Sequence, residues 1–341
     1  MNISSEEAYR RAVDALGDRM REVLLRVPAE LQGQVNEIRL RQDRPLMLDC
    51  RGRKIFLNDR PLRPVFLPDD SCITVREEDL ELAFRRLCDY SVHSHQDQIR
   101  AGYITIAGGH RAGICGTAVT ENGRVTAVRG VTGINLRICR AIPGAADELL
   151  RRADPRRTRG IVLAGPPASG KTTILRDLAQ QLSGGSRQLP VNVAVIDEKG
   201  EISGGIADGS RIGMCCDVFQ CYPKGEGILQ AVRNMAPEVI LCDEVGSCAE
   251  LASLEEGFNA GVHVVASVHA RDLHDLKTRP VIRRMLESGS FETVVLLRGG
   301  VHVGEIETVV QVEDKSDENG GHDLRFRELG AGRMPEIHAA G

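Results

Sequence analysis

Eight residues, Gly165-Pro166-Pro167-Ala168-Ser169-Gly170-Lys171-Thr172, fit the phosphate-binding pattern G-x-x-x-x-G-K-[ST] at every fixed position. The chemistry such a spacing supports is specific. Gly165 and Gly170 let the backbone approach phosphate oxygens closely. Pro166, Pro167, Ala168 and Ser169 form the body of the loop, and Thr173 follows at the start of a helix. Lys171 is expected to reach the β- and γ-phosphates of a nucleotide, and the Thr172 hydroxyl to ligate Mg²⁺. The β-like run Gly160–Ala164 leads in. The helical segment Thr172–Leu182 leads out, with Gly184-Gly185 to end it. Strand, glycine loop and helix together aim backbone N–H groups and a helix dipole at phosphate.

A loop of this kind needs an acidic partner. Glu238–Cys242 is an apolar run that ends in Asp243-Glu244. Asp243 is placed to hold Mg²⁺ through water, and Glu244 to polarise an attacking water as general base. A third run, Val191–Ile196, ends at Asp197-Glu198, and a fourth, Val262–Val268, ends at His269. Ligands of open α/β sheets sit beyond the carboxyl ends of the strands. Asp197, Glu198, Asp243, Glu244 and His269 are therefore expected to share one crevice. The candidate catalytic groups are Glu244, Lys171, Glu198 and His269. The loop predicts a nucleotide with Mg²⁺, and no guanine-reading Asn-Lys-x-Asp motif is present.

Strands alternating with helices from residue 160 onward predict a parallel sheet covered on both faces. The fold class is therefore α/β, a RecA-like P-loop domain (160–300) preceded by a smaller α+β domain (1–150). An arginine-rich linker (151–159) joins them, and a C-terminal β-hairpin and tail (301–341) follow, turning around Asp317–Gly321. Within the first domain the pattern predicts helices over 4–26 and 77–100. Ser4 with Glu7, and Thr74 with Glu77, read as capping boxes. A strand is predicted at Val35–Arg41 and a hairpin around Cys50–Arg53. Further β-segments are predicted at Tyr103–Ile106, Arg111–Val119 and Val125–Val128.

The totals exclude other classes. The chain has 341 residues, 42% apolar and 27% charged, and a net charge of −4. Aromatics make up 3% with no Trp, so stacking platforms for single-stranded nucleic acid are scarce, and no nucleic-acid partner is expected. Five arginines between Arg151 and Arg159 keep a RecA-type nucleic-acid motor as an alternative. The polar, acidic start predicts no signal peptide, and no apolar run approaches the ~18 residues of a membrane span. Ten cysteines without zinc spacing, including Cys215, Cys216 and Cys221, predict free thiols in a reducing cytoplasm. His93 and His95 read as turn or interface residues ahead of a metal pair.

The order of glycine loop, acidic box (Asp197-Glu198-Lys199-Gly200-Glu201), acidic strand and Ser267-Val268-His269-Ala270 resembles the type II and type IV secretion ATPases and pilus motors. Arg233–Glu238 is similar to their Arg-x-Asp-Pro-Asp segment. The chain departs in having Asp243 where many carry Gly, and in lacking a tetracysteine insert. Across nearly its whole length it resembles, within that superfamily, the stage III sporulation AA family of endospore-forming Firmicutes. That likeness rests on Asn36–Arg41 with Arg44-Pro45-Leu46, on Ser91–His95 with Ile99–Thr105, on Gly109–Gly116, on Asn135–Ile138 and on the glycine loop. The resemblance implies a hexameric ring with a mobile N-terminal domain. It also implies ATP as the nucleotide, and a mother-cell ATPase, cytoplasmic and peripherally attached to a membrane complex facing the forespore. Ring ATPases complete each site with an arginine from the adjacent subunit. The candidates are, in order, Arg111, Arg137 and Arg129. An ATP-gated ring scaffold that docks on a membrane partner with little hydrolysis stays open beside the motor.

Overall fold

The computed structural model describes residues 5–59, 62–184, 189–204, 212–316 and 322–329. Its contacts separate the chain into two units, Met1–Arg140 with Gly204–Asp208, and Ala141–Ser203 with Gly209–Gly341.

The first unit begins with helices α1 (Ser5–Asp14), α2 (Asp18–Leu25) and α3 (Ala29–Gln32). The single helix expected over 4–26 is thus two. Gly17 takes an extended conformation, with ψ of 157°. A Cβ there would stand 3.0 Å from Leu82 Cδ2, so a close contact fixes the break. Ser4 and its capping box lie outside the described residues. Strands β1 (Val35–Arg41), β2 (Met47–Cys50), β3 (Arg53–Asn58) and β4 (Arg63–Val65) follow as an antiparallel meander. Then come α4 (Glu77–Leu87), a 3₁₀ turn at Val92–His95 and α5 (Gln96–Arg100). The helix expected over 77–100 is interrupted because Asp89 and Tyr90 adopt positive φ (46° and 60°), which an α-helix does not accommodate. The Asp79 carboxylate accepts the Arg76 N–H at 2.8 Å, so the cap is Arg76 with Asp79 rather than Thr74 with Glu77. Strands β5 (Tyr103–Ile106), β6 (His110–Glu121) and β7 (Arg124–Arg137) complete a seven-stranded sheet of order β4-β3-β2-β1-β7-β6-β5. The β7 strand runs well past the predicted Val128. It pairs with β6 along its whole length, and its carboxyl end, Gly133–Arg137, pairs with β1 on the other side.

The second unit is the α/β domain. Helix α6 (Asp147–Arg152) leads to β8 (Gly160–Gly165), and α7 (Lys171–Gly184) follows the glycine loop. Leu149 of α6 is buried together with Ala146 and Ala153, so part of the segment read as a linker packs into this core. Next come β9 (Val193–Asp197), β10 (Cys216–Gln220), α8 (Lys224–Met235), β11 (Val239–Cys242) and α9 (Cys248–Asn259). The chain ends through β12 (His263–His269), α10 (Leu273–Thr278), α11 (Pro280–Glu287), β13 (Thr293–Leu297), β14 (Ile306–Ser316) and β15 (His322–Glu328). The sheet order is β10-β9-β11-β12-β8-β13-β14-β15. Strands β10 to β13 pair in parallel, and β14 and β15 are antiparallel additions. The C-terminal hairpin is as expected, and its turn lies outside the described residues.

Every residue of β8 is buried, because helices cover both faces of the sheet. Val162 and Ala164 join one core with Ile240, Ala266 and α9. Ile161 and Leu163 join the opposite core with Val195, Leu241 and α7. One strand, β12, separates the glycine-loop strand β8 from the acidic strand β11. That order, with helices on both faces, makes this unit a RecA-like P-loop domain. Among the described residues no helix is long and apolar enough to cross a membrane.

Close packing at β8 gives a direct test. A Cβ on Gly160 would stand 2.3 Å from the Ser290 carbonyl and 2.9 Å from Phe291 Cα, both backbone atoms. Gly160→Ala is expected to cost about 1–3 kcal/mol by overpacking. The thermal midpoint should fall by several degrees, while Gly246→Ala, whose Cβ meets nothing nearer than 3.9 Å, should leave it in place. Equal midpoints would contradict the packing described.

Candidate functional site: a phosphate loop facing an acidic strand

The glycine loop turns between β8 and α7 with Ala168 and Gly170 at positive φ (60° and 96°). At Gly170 a side chain would also meet the backbone of Gly304 at 3.0 Å, so glycine is required there on two counts. Pro167 and Ala168 form the exposed tip, and Ser169 is buried. Ser169 Oγ has no hydrogen-bond partner among the described residues.

Lys171, the first residue of α7, is buried and turns back on the loop. Its ammonium donates to the carbonyls of Gly165 and Pro166, each at 2.9 Å, and lies 3.1 Å from His269 Nδ1. Burial lowers the Lys171 pKa, against the opposing pull of Asp243 and Glu244. Since the ammonium can only donate, Nδ1 of His269 is assigned as acceptor and Nε2 as the protonated nitrogen. That Nε2 lies 3.0 Å from Glu244 Oε1. The hydrogen bonds therefore run Lys171 to His269 to Glu244, joining the ends of β8, β12 and β11.

The acidic strand end is held by Ser267 of β12, whose side chain is fully buried. Ser267 Oγ accepts the Glu244 N–H at 3.0 Å and donates to Asp243 Oδ1. The other oxygen of Asp243 accepts the Thr172 hydroxyl at 2.9 Å. Glu244 itself sits at φ 50°, a left-handed conformation that costs a non-glycine residue about 1–3 kcal/mol. Both its carboxylate oxygens are occupied, Oε1 by His269 and Oε2 by Lys199. Burial pushes the Glu244 pKa up, but hydrogen bonds from Lys199 and His269 outweigh it, and the carboxyl is lowered to about 2.

Of the predicted residues, Lys171, Thr172, Asp243, Glu244 and His269 converge. Asp197 takes a different role. It is 2% exposed and accepts the backbone N–H groups of Glu201 and Ser203 at 2.9 and 2.7 Å, which shapes the acidic-box turn. Glu198 meets Lys224 at 3.6 Å and lines one small pocket together with Asp197, Lys199, Asp243 and Glu244. Arg111 lies on β6 of the first unit, with its guanidinium 3.7 Å over the Tyr103 ring. Arg137 pairs with Glu37 at 3.3 Å, and Arg129 is exposed on β7. His95 bonds the Ser91 carbonyl and His93 the Gln96 side chain, both within one turn.

Three contributors were not singled out by the sequence. Lys199 was quoted in the acidic box but given no task, and it caps Glu244. Lys224, 7% exposed at the start of α8, donates to the Glu244 carbonyl at 2.8 Å. The only sequence hint was a lysine two residues after Tyr222, just behind the helix-starting Pro223. The β13–β14 loop donates Gly304 N–H to the Ser169 carbonyl at 2.9 Å, and its Gly-Gly-x-x-x-Gly spacing was the available signal.

The donor set fits a hydrated Mg²⁺. A threonine hydroxyl and a carboxylate are hard oxygens, and Mg²⁺ takes few protein ligands beside phosphate and water. Among the described residues no group of three or more His, Cys, Asp and Glu is arranged to hold a metal by itself.

The family model described as Sporulation stage III, protein AA, matches residues 6–316. Stage III sporulation protein AA of Bacillus subtilis (strain 168) is 34% identical over 306 residues, which span 89% of this chain and 94% of that protein. Protein SEEDLING PLASTID DEVELOPMENT 1 of Arabidopsis thaliana is 28% identical over 230 residues, 65% of this chain and 30% of that one. Among solved structures, the pilus retraction motor PilT with bound ADP covers 91% of this chain and 81% of its own, at 16% identity and a TM-score of 0.49. The Legionella pneumophila ATPase DotB covers 86% and 76%, at 12% identity and a TM-score of 0.48. With a family model spanning residues 6–316 and a relative one-third identical along nearly its whole length, the chain belongs to the Sporulation stage III, protein AA family.

Proposed function

We propose that the chain hydrolyses ATP with Mg²⁺, working as a motor of the secretion and pilus type in the assembly of, or transport through, a sporulation membrane complex. The observation that carries this reading is the hydrogen-bonded chain from Lys171 through His269 to Glu244, set beside the Thr172–Asp243 pair. A loop lysine, a hydroxyl able to ligate a metal and an ionised carboxylate are the groups phosphoryl transfer to water uses, and their grouping supports this reading. Further parts of the proposal rest on family resemblance: a hexameric ring, a mother-cell cytoplasmic location against the membrane complex, and Arg111 as first candidate to complete a neighbour's site.

In this reading the backbone N–H groups of Ser169 to Thr172 and the α7 dipole hold the phosphates. Lys171 leaves the loop carbonyls to meet the terminal phosphate, and His269 loses its donor at Nδ1. Thr172 and Asp243 would hold Mg²⁺, which when bound would supply positive charge to the phosphate oxygens. Glu244 orients the attacking water and accepts its proton. A carboxylate held so low is a weak base, so one of its oxygens must first be released by Lys199 or His269. That double engagement also favours the second reading, an ATP-gated ring scaffold with slow hydrolysis.

Four outcomes follow from these assignments. Lys171→Ala should abolish ATP binding in a calorimetric titration. Glu244→Gln should keep binding and lower turnover by roughly 10²–10⁴-fold, the range of one general base. Unchanged turnover in both variants would remove the enzyme reading; an in vivo function that survives Glu244→Gln and not Lys171→Ala would select the scaffold. Specific activity that rises with protein concentration would mean that subunits share sites; a flat profile would mean self-contained sites or a preformed ring, which sizing separates.

The fourth outcome concerns pH. Glu244 has a lowered folded pKa, so its pair with Lys199 and its hydrogen bond from His269 stabilise the fold fully above the ordinary carboxyl value of 4.5 and progressively less as pH falls toward about 2. The thermal midpoint of the native chain should therefore exceed that of Lys199→Met by a constant margin above pH 4.5. That margin should shrink on acidification. A margin that grows toward low pH would contradict the assigned pair.

A further inference from the structure

The loop joining β13 to β14 has no assigned task, yet it is built against the phosphate loop. Its ends are closed by the Arg298 N–H to the Glu305 carbonyl at 2.9 Å, and Gly304 donates to the Ser169 carbonyl at 2.9 Å. Gly299 lies so close to Pro166 that a Cβ on it would stand 2.8 Å from Pro166 Cγ. Val303 Cγ1 stands 3.3 Å from where a Gly170 Cβ would be. Gly300 and Gly304 take φ of 71° and 85°, so the loop is turned by glycines into a shape few sequences adopt. What it then presents is two valines flanking His302: Val301 is 91% exposed and Val303 58%. Two exposed valines on a glycine-shaped loop, tied to the phosphate loop, are a surface without a structural reason of their own.

Strand order supplies the reason. The sheet runs β11-β12-β8-β13, with neighbouring strands about 4.8 Å apart. Asp243, Glu244 and His269 stand at the ends of β11 and β12, on one side of the phosphate loop. A terminal phosphate has to face Glu244 to be hydrolysed. The rest of a nucleotide is then led to the other side of the loop, where β13 ends and the two valines stand.

We propose that Val301 and Val303 form the shelf on which the base of the bound nucleotide packs. The inference rests on the nucleotide reading above and deepens it by naming the group the β13–β14 loop binds. The two valines offer apolar area on either side of His302, whose Nδ1 is engaged by Glu305 at 3.1 Å, so they hold a purine face by burial.

The test compares Mg-ATP with magnesium tripolyphosphate, which has the phosphates and no nucleoside, by calorimetric titration of the full chain. The native chain should bind ATP more tightly than tripolyphosphate. Val301→Asp and Val303→Asp should weaken ATP roughly tenfold and leave tripolyphosphate unchanged, since a buried carboxylate displaces one apolar contact of the base. Val301 makes no contact with the phosphate loop that its substitution would break, so Val301→Asp is the decisive variant. ATP binding unchanged in Val301→Asp overturns the shelf, as does native binding of tripolyphosphate as tight as that of ATP; in both cases the nucleotide reading stands. Native chain that binds neither ligand removes the nucleotide reading and the shelf together.

Discussion

One hydroxyl fixes the geometry of the acidic strand. Ser267 is buried in β12, and its oxygen is shared between the Glu244 N–H and the Asp243 carboxylate. A buried hydroxyl with both a donor and an acceptor satisfied is rigid, because loss of either partner leaves an unpaired polar atom in the core. Through Ser267 the middle strand sets where both acidic side chains point. Thr172 closes on the other oxygen of Asp243, so two parallel strand ends and one helix meet in three hydrogen bonds. Shifting β12 by one residue would turn Ser267 to the opposite face and break the set.

The surrounding charges are arranged in layers. Lys224 is buried and anchors the backbone of Glu244, whereas Lys199 and His269 hold its side chain. Lys224 also lies within 3.7 Å of Glu250, the residue that closes the capping box of α9 with Ser247. Position and ionisation of Glu244 are thus set by different residues. The glycine loop is braced in the same way on its other flank, where Gly304 and Gly299 press on Ser169 and Pro166.

Much of this was legible in the sequence, for definite reasons. The glycine pattern, the runs ending at Asp197, Asp243 and His269, and the α/β alternation are local signals, and β9, β11 and β12 end where those runs predict. What was not legible depends on tertiary contact. Gly17 reads as a tolerable residue within a helix until Leu82 is seen against it. Asp89 and Tyr90 fit a helical pattern and are nonetheless left-handed. Asp197 and Asp243 look alike at strand ends. Only the backbone N–H groups of Glu201 and Ser203 separate a structural carboxylate from one facing Thr172. Lys199 stood inside a quoted motif, but pairing with a residue 45 positions away has no local signature.

The left-handed backbone of Glu244 has a consequence for the history of the family. Glycine occupies that conformation without cost and asparagine with little. Either would relieve strain of about 1 kcal/mol or more and at the same time remove the carboxylate. Stability and chemistry therefore pull in opposite directions at one codon. Lineages in which turnover ceased to matter would drift to glycine or asparagine there while keeping the glycine loop, and would become more robust as they fell silent. On the role proposed for Glu244, the side chain at this position separates a chain able to turn nucleotide over from one that only binds it.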